Sequence, residues 1–571
     1  MLWSLIPVWT VILSLPLRSQ QSCYCGTEGE CKAADFIPGS NLGGEGFDIT
    51  TMERKGSYVI NVNEWRLQNN SCNLCKNPYL QQTQKLPVSL VDWRALHKCS
   101  MKVSSSVYRS SESLLNSMCT SVENNWQIGL GFGKLNNKGN LLLAGTHSKL
   151  ASYTMEKTKS DKFAFSSQKV FCTYYSYRLS NKPLLSPDFE SAFKSLPPNY
   201  NSQTKDKYQS FIDHFGTHYI TTVKLGGVVE SYTSIKECEA SLKGLNTEEI
   251  KNCLSAEASM SVQYKADADL NALLKHCNAV MKHNGGMTSF SRSFSDRFTE
   301  ITGGQTTTGD LLFSAEKDAS AYREWLATIP RAPDLVSYSL VPLHKLLPDS
   351  SPVQVLLHDA IKDYILQQGL LRNCSKPCQN GKASTNEPCV CQCHNVNGVN
   401  RECCPTQPTL ARVILTVQKA KNLYGDKLSQ SDAYVQIYDS KRIKVARSPV
   451  IKNNDNPVWN YIFDSGEIIL SSTPYFELEV WDEDGGYDDD KLGPACNVKL
   501  QQGTRRGMCD LDHGMLFYKV QVTCGPSLSG PTCAEYEGSP MNKELEKVYV
   551  SRNARPIPKE MLSQMGVVGV K

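Results

Sequence analysis

Residues 208–227 read YQSFIDHFGTHYITTVKLGG. Tyr208 and Phe215 flank a six-residue gap, and Gly216-Thr217-His218-Tyr219 follows at once. The wider segment, SFIDHFGTHYITTVKLGGVVESYTSI, is rich in β-branched and aromatic residues interrupted by glycines, and reads as strand. The pair Gly226-Gly227 inside that pattern points to a bulge or bend. His218 stands alone in a strand-rich setting and reads as structural, because no metal-ligand spacing, HExxH or GxSxG accompanies it. GLGFG at 129–133 has no phosphate-binding context and reads as glycine-rich strand or turn. Nothing here makes an enzyme.

Working outward, residues 254–272 read LSAEASMSVQYKADADLNA. Every even position is apolar, including Met260, Val262 and Tyr264, and every odd position is polar or charged. A helix so patterned has no apolar face, whereas a strand has one wholly apolar and one wholly polar face. Ordinary strands run about 3–10 residues, so the length itself needs a reason.

The chain has 571 residues, 61 Lys plus Arg against 57 Asp plus Glu, and a net charge of +4. That balance, without a basic cluster interleaved with aromatics, argues against nucleic-acid binding. At about 150 residues per domain the length suggests roughly four units. The opening run MLWSLIPVWTVILSLPL reads as a cleaved signal peptide over 1–20, and no later stretch is long and apolar enough to be a membrane helix. Twenty-two cysteines and the sequons at Asn69 and Asn373 fit the secretory route.

Six cysteines staple the region 21–100, and only five follow up to 370, where helix-like stretches such as SAYREWLATI and VQVLLHDAIKDYILQQGLL alternate with strands. Residues 374–404 hold seven cysteines with too few apolar residues for a core. Zinc is the alternative there, but adjacent cysteines in a secreted chain favour disulfides. The spacing resembles an EGF-like module over 374–408, which uses six cysteines; the seventh, Cys404, is then expected to pair with an isolated cysteine such as Cys238. From 409 to 535 strand patterns with frequent turns read as a β-sandwich with two local bridges among four cysteines. Residues 536–571 show no clear pattern and read as a loosely attached tail.

Two sandwich stretches concentrate carboxylates: YGDKLSQSDAYVQI, and ELEVWDEDGGYDDDKLG. Both lie at strand ends, and clustered carboxylates repel one another unless a cation such as Ca²⁺, with six to eight oxygen ligands, joins them. The Gly425-Asp426-(x5)-Asp432-Ala433-Tyr434 and Trp481-Asp482-Glu483-Asp484 spacings resemble a C2 domain, the calcium-dependent phospholipid-binding sandwich. The resemblance implies Asp426, Asp432, Asp482, Asp484 and Asp490 as calcium ligands, Asp488 and Asp489 as extras, and Tyr424 and Tyr487 as lipid-contacting tips. Lys427 and Gly485 give those tips no further apolar group, so insertion is expected to be shallow. Carboxylate ligands lose donor capacity in acid, so binding should weaken there.

The signature Tyr208-(x6)-Phe215-Gly216-Thr217-His218-Tyr219 with Gly226-Gly227 resembles that of the membrane-attack-complex/perforin (MACPF) family. The resemblance implies an α+β MACPF domain over 21–373, with a bent, twisted antiparallel sheet and two helical clusters that convert to membrane-inserted β-hairpins of a large barrel. Such a barrel accounts for the alternation at 254–272, with one face to lipid and one to water. The expected return strand is 286–301, where Phe290, Phe294 and Phe298 share a face with Arg292 and Asp296. The first hairpin is expected within 145–178, around Ala151, Tyr153, Met155, Phe163 and Phe165. MACPF, EGF-like module and all-β C2 sandwich in this order is the arrangement of the perforins within that family. It implies release from cytotoxic granules as a soluble monomer, calcium-dependent docking on the target phospholipid bilayer, and a homo-oligomeric ring or arc whose pore lyses the cell or admits granule proteases as cargo. The alternative is a calcium-dependent membrane-binding MACPF protein that never inserts.

Overall fold

A computed structural model describes residues 23–570 apart from 101, 133–139, 264–266, 284–288, 314–318, 375–377, 379–380, 386, 388, 426–428, 485–488 and 548–549. The expected signal peptide lies outside the described residues.

An eight-stranded antiparallel sheet organises the first two thirds of the chain. Its strands are β1 (Glu45–Asp48), β2 (Glu53–Tyr58), β3 (Leu90–Cys99), β4 (Ser104–Tyr108), β5 (Phe163–Leu179), β6 (His218–Lys236), β7 (Arg297–Thr302) and β8 (Asp334–Pro342). The order is β2-β1-β6-β5-β3, with β4 also on β5, and β7 and β8 also on β6. β6 is the spine: β5 runs along one side of it from Thr222 to Lys236, while β8 and β7 follow one another along the other.

The strand reading of the stretch before His218 is corrected. Tyr208, Phe211, Ile212 and Phe215 are buried on one face of a helix, Lys205–Phe215, because their spacing of three and four is helical. Gly216 ends that helix with φ of 86°, and a Cβ there would lie 2.5 Å from the Phe47 carbonyl oxygen. The Gly226-Gly227 pair does mark an irregularity: the β6–β5 register shifts between Leu225 and Gly226.

Two sets of helices interrupt the sheet. Between β4 and β5 come α1 (Ser111–Met118) and α2 (Lys149–Ser160); between β6 and β7 come α3 (Glu237–Leu242), α4 (Thr247–Val262), α5 (Ala268–His283) and α6 (Phe290–Ser293). The helices read from sequence near 320 and 352 form as Ser320–Thr328 and Pro352–Gln367. Among the described residues no helix is long and apolar enough to cross a membrane.

The EGF-like region is closed by Cys374–Cys389, Cys378–Cys391 and Cys393–Cys403, and Cys404 bonds to Cys238 as the leftover-cysteine argument expected. With all seven cysteines in disulfides, the zinc alternative falls. At the N-terminus Cys23–Cys75 and Cys31–Cys72 are local, but Cys99 reaches Cys172 on β5, and Cys25 and Cys119 are free thiols.

The sandwich comprises β9 (Leu410–Lys421), β10 (Ala433–Asp439), β11 (Lys444–Arg447), β12 (Val458–Ile469), β13 (Tyr475–Asp482), β14 (Asp490–Lys491), β15 (Cys496–Lys499), β16 (Gly503–Asp510) and β17 (Met515–Cys524). One sheet runs β12-β9-β17-β16; the other runs β11-β10-β13-β14 with β15 on β13. The two expected local bridges are Cys496–Cys509 and Cys524–Cys533.

The loose-tail reading is also corrected. Ala554–Pro556 pairs with Leu370–Arg372, and Ile557, Leu562 and Val567 are buried in the main core. The segment grips the end of α2 as well: Tyr536 hydrogen-bonds Asp161, Met541 N–H donates to Lys159 O (2.7 Å), and Arg552 Nε donates to Thr158 O (2.7 Å). Its apolar residues are too sparse to form a periodic pattern, so only the groove that receives them reveals their role.

Candidate functional site: acidic loops and helical clusters

The acidic loops sit at one end of the sandwich. β10 and β13 pair Ala433 with Asp482, and β13 and β14 pair Asp482 with Asp490, so the ladder itself draws the two acidic stretches together. Asp482 is 3% exposed, and its Oδ1 accepts the Asp432 N–H at 2.6 Å. Asp432 Oδ1 in turn accepts the Asn453 N–H at 2.6 Å, bringing the NNDNP turn into the cluster. Gly425 lies against this carboxylate, where a Cβ would stand 1.7 Å from Asp482 Oδ2. Asp489 accepts the Tyr434 hydroxyl and the Asp484 N–H (3.4 Å). Burial and the Asp489 bond push the Tyr434 phenol up to about 12. The Arg447 guanidinium covers the Tyr434 ring at 3.8 Å and pairs with Glu483 at 2.8 Å.

All the donors in this cluster are oxygens, the chemistry of a calcium site. Among the described residues no three of them converge tightly enough to enclose a metal ion. Asp426, Asp488 and Tyr487 lie outside the described residues, so Asp432, Asp482, Asp484, Asp489 and Asp490 are the expected ligands the structure places. Tyr424 is exposed at 52%, its ring 5.3 Å from that of His513. The NNDNPVWN turn that begins at Asn453 was part of the sequence pattern, whereas sequence reasoning passed over His513 because it stands on a separate turn.

The signature residues are core. Tyr208 donates to Pro197 O at 2.7 Å; Phe215 packs on Phe189 and Phe211; Tyr219 is buried. His218 is fully buried, and burial lowers its pKa to about 4. Its Nε2 meets the Trp126 carbonyl at 3.0 Å, which only an N–H can do, so Nδ1 accepts from the Thr217 hydroxyl at 2.8 Å. Thr217 Oγ1 also accepts the Ile49 N–H at 3.1 Å. This histidine ties three segments together.

The residues expected to insert divide among different elements. Ala151 and Met155 are buried on α2 and Tyr153 reaches Asp296 at 3.1 Å, whereas Phe163 and Phe165 already belong to β5, paired through Lys236 and Ser234 of β6. Within 145–178 the helical part stops at Ser160, before Phe163. Met260 and Val262 lie on α4, so residues 254–262 are helical here rather than strand. Tyr264 lies outside the described residues. Phe290 is buried on α6 with Phe294 stacked at 6.2 Å, while Phe298 is already on β7 opposite Tyr232. Of the two sequons, Asn69 is exposed and Asn373 is half-buried.

Both helical sets are rooted at one polar knot. Glu237, the first residue of α3, is buried, with Lys162 Nζ at 3.3 Å and Arg109 at 4.0 Å; Arg109 also pairs with Glu402 of the EGF-like region at 2.5 Å. Burial raises the Glu237 pKa, against the pull of Lys162 and Arg109. The neighbouring Cys238–Cys404 bond fastens the same point covalently.

Residues 37–374 match the model of the MAC/Perforin domain, 373–406 that of the Perforin-1-like EGF domain, and 411–510 that of the C2 domain. Perforin-1 of Rattus norvegicus is 36% identical over 532 residues, covering 92% of this chain and 95% of that protein. Perforin-1 of Homo sapiens is 34% identical, covering 90% and 93%. Complement component C9 of Oncorhynchus mykiss is 23% identical over 67% of this chain and 71% of that protein. With a multidomain α+β, EGF-like and C2 architecture and these relatives along nearly its whole length, the chain belongs to the MAC/Perforin family.

Proposed function

We propose that this chain is a secreted, calcium-dependent pore-forming protein that attacks membranes. The observation that carries the reading is the placement of the alternating segment: Leu254–Val262 is helical, yet it is joined through α3 to β6, whose partner β7 receives the chain on its return. Conversion to strand would lengthen an existing ladder rather than create one. Calcium, when bound, supplies the positive charge that lets the carboxylate loops meet phospholipid headgroups. Asp432, Asp482, Asp484, Asp489 and Asp490 hold it, joined by Asp426 and Asp488, and Tyr424 and Tyr487 dip into the interface. MACPF units then associate side by side, and the helical sets insert. Storage in cytotoxic granules and passage of granule proteases through the pore belong to the same reading, and it assigns no enzymatic step.

A non-lytic membrane-binding role is favoured by one observation, the charged Arg292 and Asp296 interleaved with Phe290 and Phe294. Dye release from phosphatidylcholine liposomes, with and without calcium and alongside flotation, separates the two. Calcium-dependent release that Asp484→Ala abolishes supports the pore. Calcium-dependent flotation without release refutes it and leaves the second reading.

A further inference from the structure

The ladder between β6 and β7 pairs Val228 with Thr302 and Thr233 with Arg297, and the residue numbers of every pair add to 530. It continues one step further, where Ser234 N–H donates to Asp296 O at 2.9 Å. Beyond that step the chain leaves the sheet for α3–α6. Within those helices Cys253 of α4 is bonded to Cys277 of α5, their Cα atoms 5.7 Å apart, and these numbers also add to 530. The disulfide therefore joins two residues that the ladder, extended without a slip, would set directly opposite each other.

The geometry points to a hairpin that grows as a continuation of this ladder with the Cys253–Cys277 bond intact, its lipid-facing surface formed by 254–262 on one strand and 268–274 on the other. The inference rests on the pore-forming reading. Residues opposite each other in this register share parity. The apolar row Leu254, Ala256, Ala258, Met260 and Val262 then lies beside Ala268, Leu270, Ala272 and Leu274. The other face carries Glu257, Ser259, Ser261, Asp269, Asn271 and Lys275, with Leu273 the one apolar exception among the described positions from 255 to 275. A slip of one residue would set apolar beside polar along the whole pair. The runs 254–262 and 268–276, the second ending with the polar His276 opposite Leu254 on the otherwise apolar face, each have the length of about 9–11 residues that a tilted transmembrane strand needs. Directly opposite residues of an antiparallel pair lie about 4.5–5.5 Å apart, and disulfides span about 4.4–6.8 Å, so the bond suits both the helical and the extended form. It sits where the hairpin enters the bilayer. The expected return strand 286–301 is thereby reassigned: its partners become 229–244, above the membrane, and 268–276 takes its place in the wall.

The test uses the full chain carrying Cys25→Ser and Cys119→Ser. Ser259→Cys is paired with Asn271→Cys in register, or with Asp269→Cys or Leu273→Cys two residues out of register. Each variant is oxidised before and after assembly with calcium on phosphatidylcholine liposomes, and intrachain bonds are read by mass spectrometry. The register predicts a gain on assembly at least about 10-fold larger for the Asn271 pair, because diagonal neighbours stand about 7–8 Å apart, beyond disulfide reach. It also predicts recovery of the Cys253–Cys277 peptide unreduced from washed pores. Preferential bonding by an out-of-register pair, or free Cys253 and Cys277 thiols in the pores, would overturn the register. If the unsubstituted chain floats with the vesicles but releases no dye, the pore reading falls and the register falls with it; dye release with out-of-register bonding sinks the register alone.

Discussion

Leu562→Ala asks whether the C-terminal segment belongs to the cooperative unit. Leu562 is 6% exposed on the helix Lys559–Gln564 and packs into the core that holds the central sheet, with Ile557 and Val567 beside it. Burying three such aliphatic side chains contributes about 5–9 kcal/mol at about 1.5–3 each, an upper bound because the unfolded chain is itself partly collapsed. Truncating one leucine costs about 2–5 kcal/mol, and a site on a helix of only six residues relaxes well, which favours about 2–3. At the low end of about 2–4 °C per kcal/mol, the melting temperature should fall by about 4–6 °C. Differential scanning calorimetry of the whole chain measures this, and the volume-conserving Leu562→Met should change it by less than half as much. A Leu562→Ala transition within about 1 °C of the parent would mean that the segment is bound loosely, and the argument from its burial would be wrong.

Glu237 supplies a pH dependence. Its raised pKa means that the packed form holds the proton to higher pH than the unpacked form does, so stability present below the ordinary carboxylate range is lost as pH rises through the raised value. Thermal unfolding between pH 5 and 7.4 should show the parent weakening with pH and Glu237→Gln weakening less; parallel curves would exclude the residue as the source. Gly226→Ala places a Cβ 1.8 Å from the Cys172 carbonyl oxygen, a backbone atom, whereas Gly227→Ala meets the side chains of Ile329 and Trp325 at 2.6 Å. The first should therefore cost about 3 kcal/mol in denaturant unfolding and the second less, and the opposite ranking would contradict the account of the bulge.

How much of this was legible in advance depended on how local each signal is. The order of the three modules, the signature at 208–219, the disulfide character of 374–404 and the acidic loops are short patterns of residue type, and these were readable directly. So was the odd cysteine, because six of seven close a small module and one must leave it. The helix ending at Phe215 carried its own signal at 208, 211, 212 and 215, which the β-branched residues downstream obscured.

The remainder needed the tertiary structure, because it concerns residues far apart in the chain. Whether 254–262 is helix or strand is undecided by its alternation: α4 is held by packing of Leu254 and Cys253 against Ile235, Cys277 and Phe290, and nothing in the nineteen-residue pattern encodes those neighbours. The same holds for the tail, whose three scattered aliphatic residues acquire meaning only in the groove they fill, and for the knot at Glu237, assembled from Arg109, Lys162 and Glu402. Periodicity and composition act over a few residues, so the sequence alone determines them. Register, partner and burial are set when distant segments compete for the same surface, and only the folded chain decides that competition.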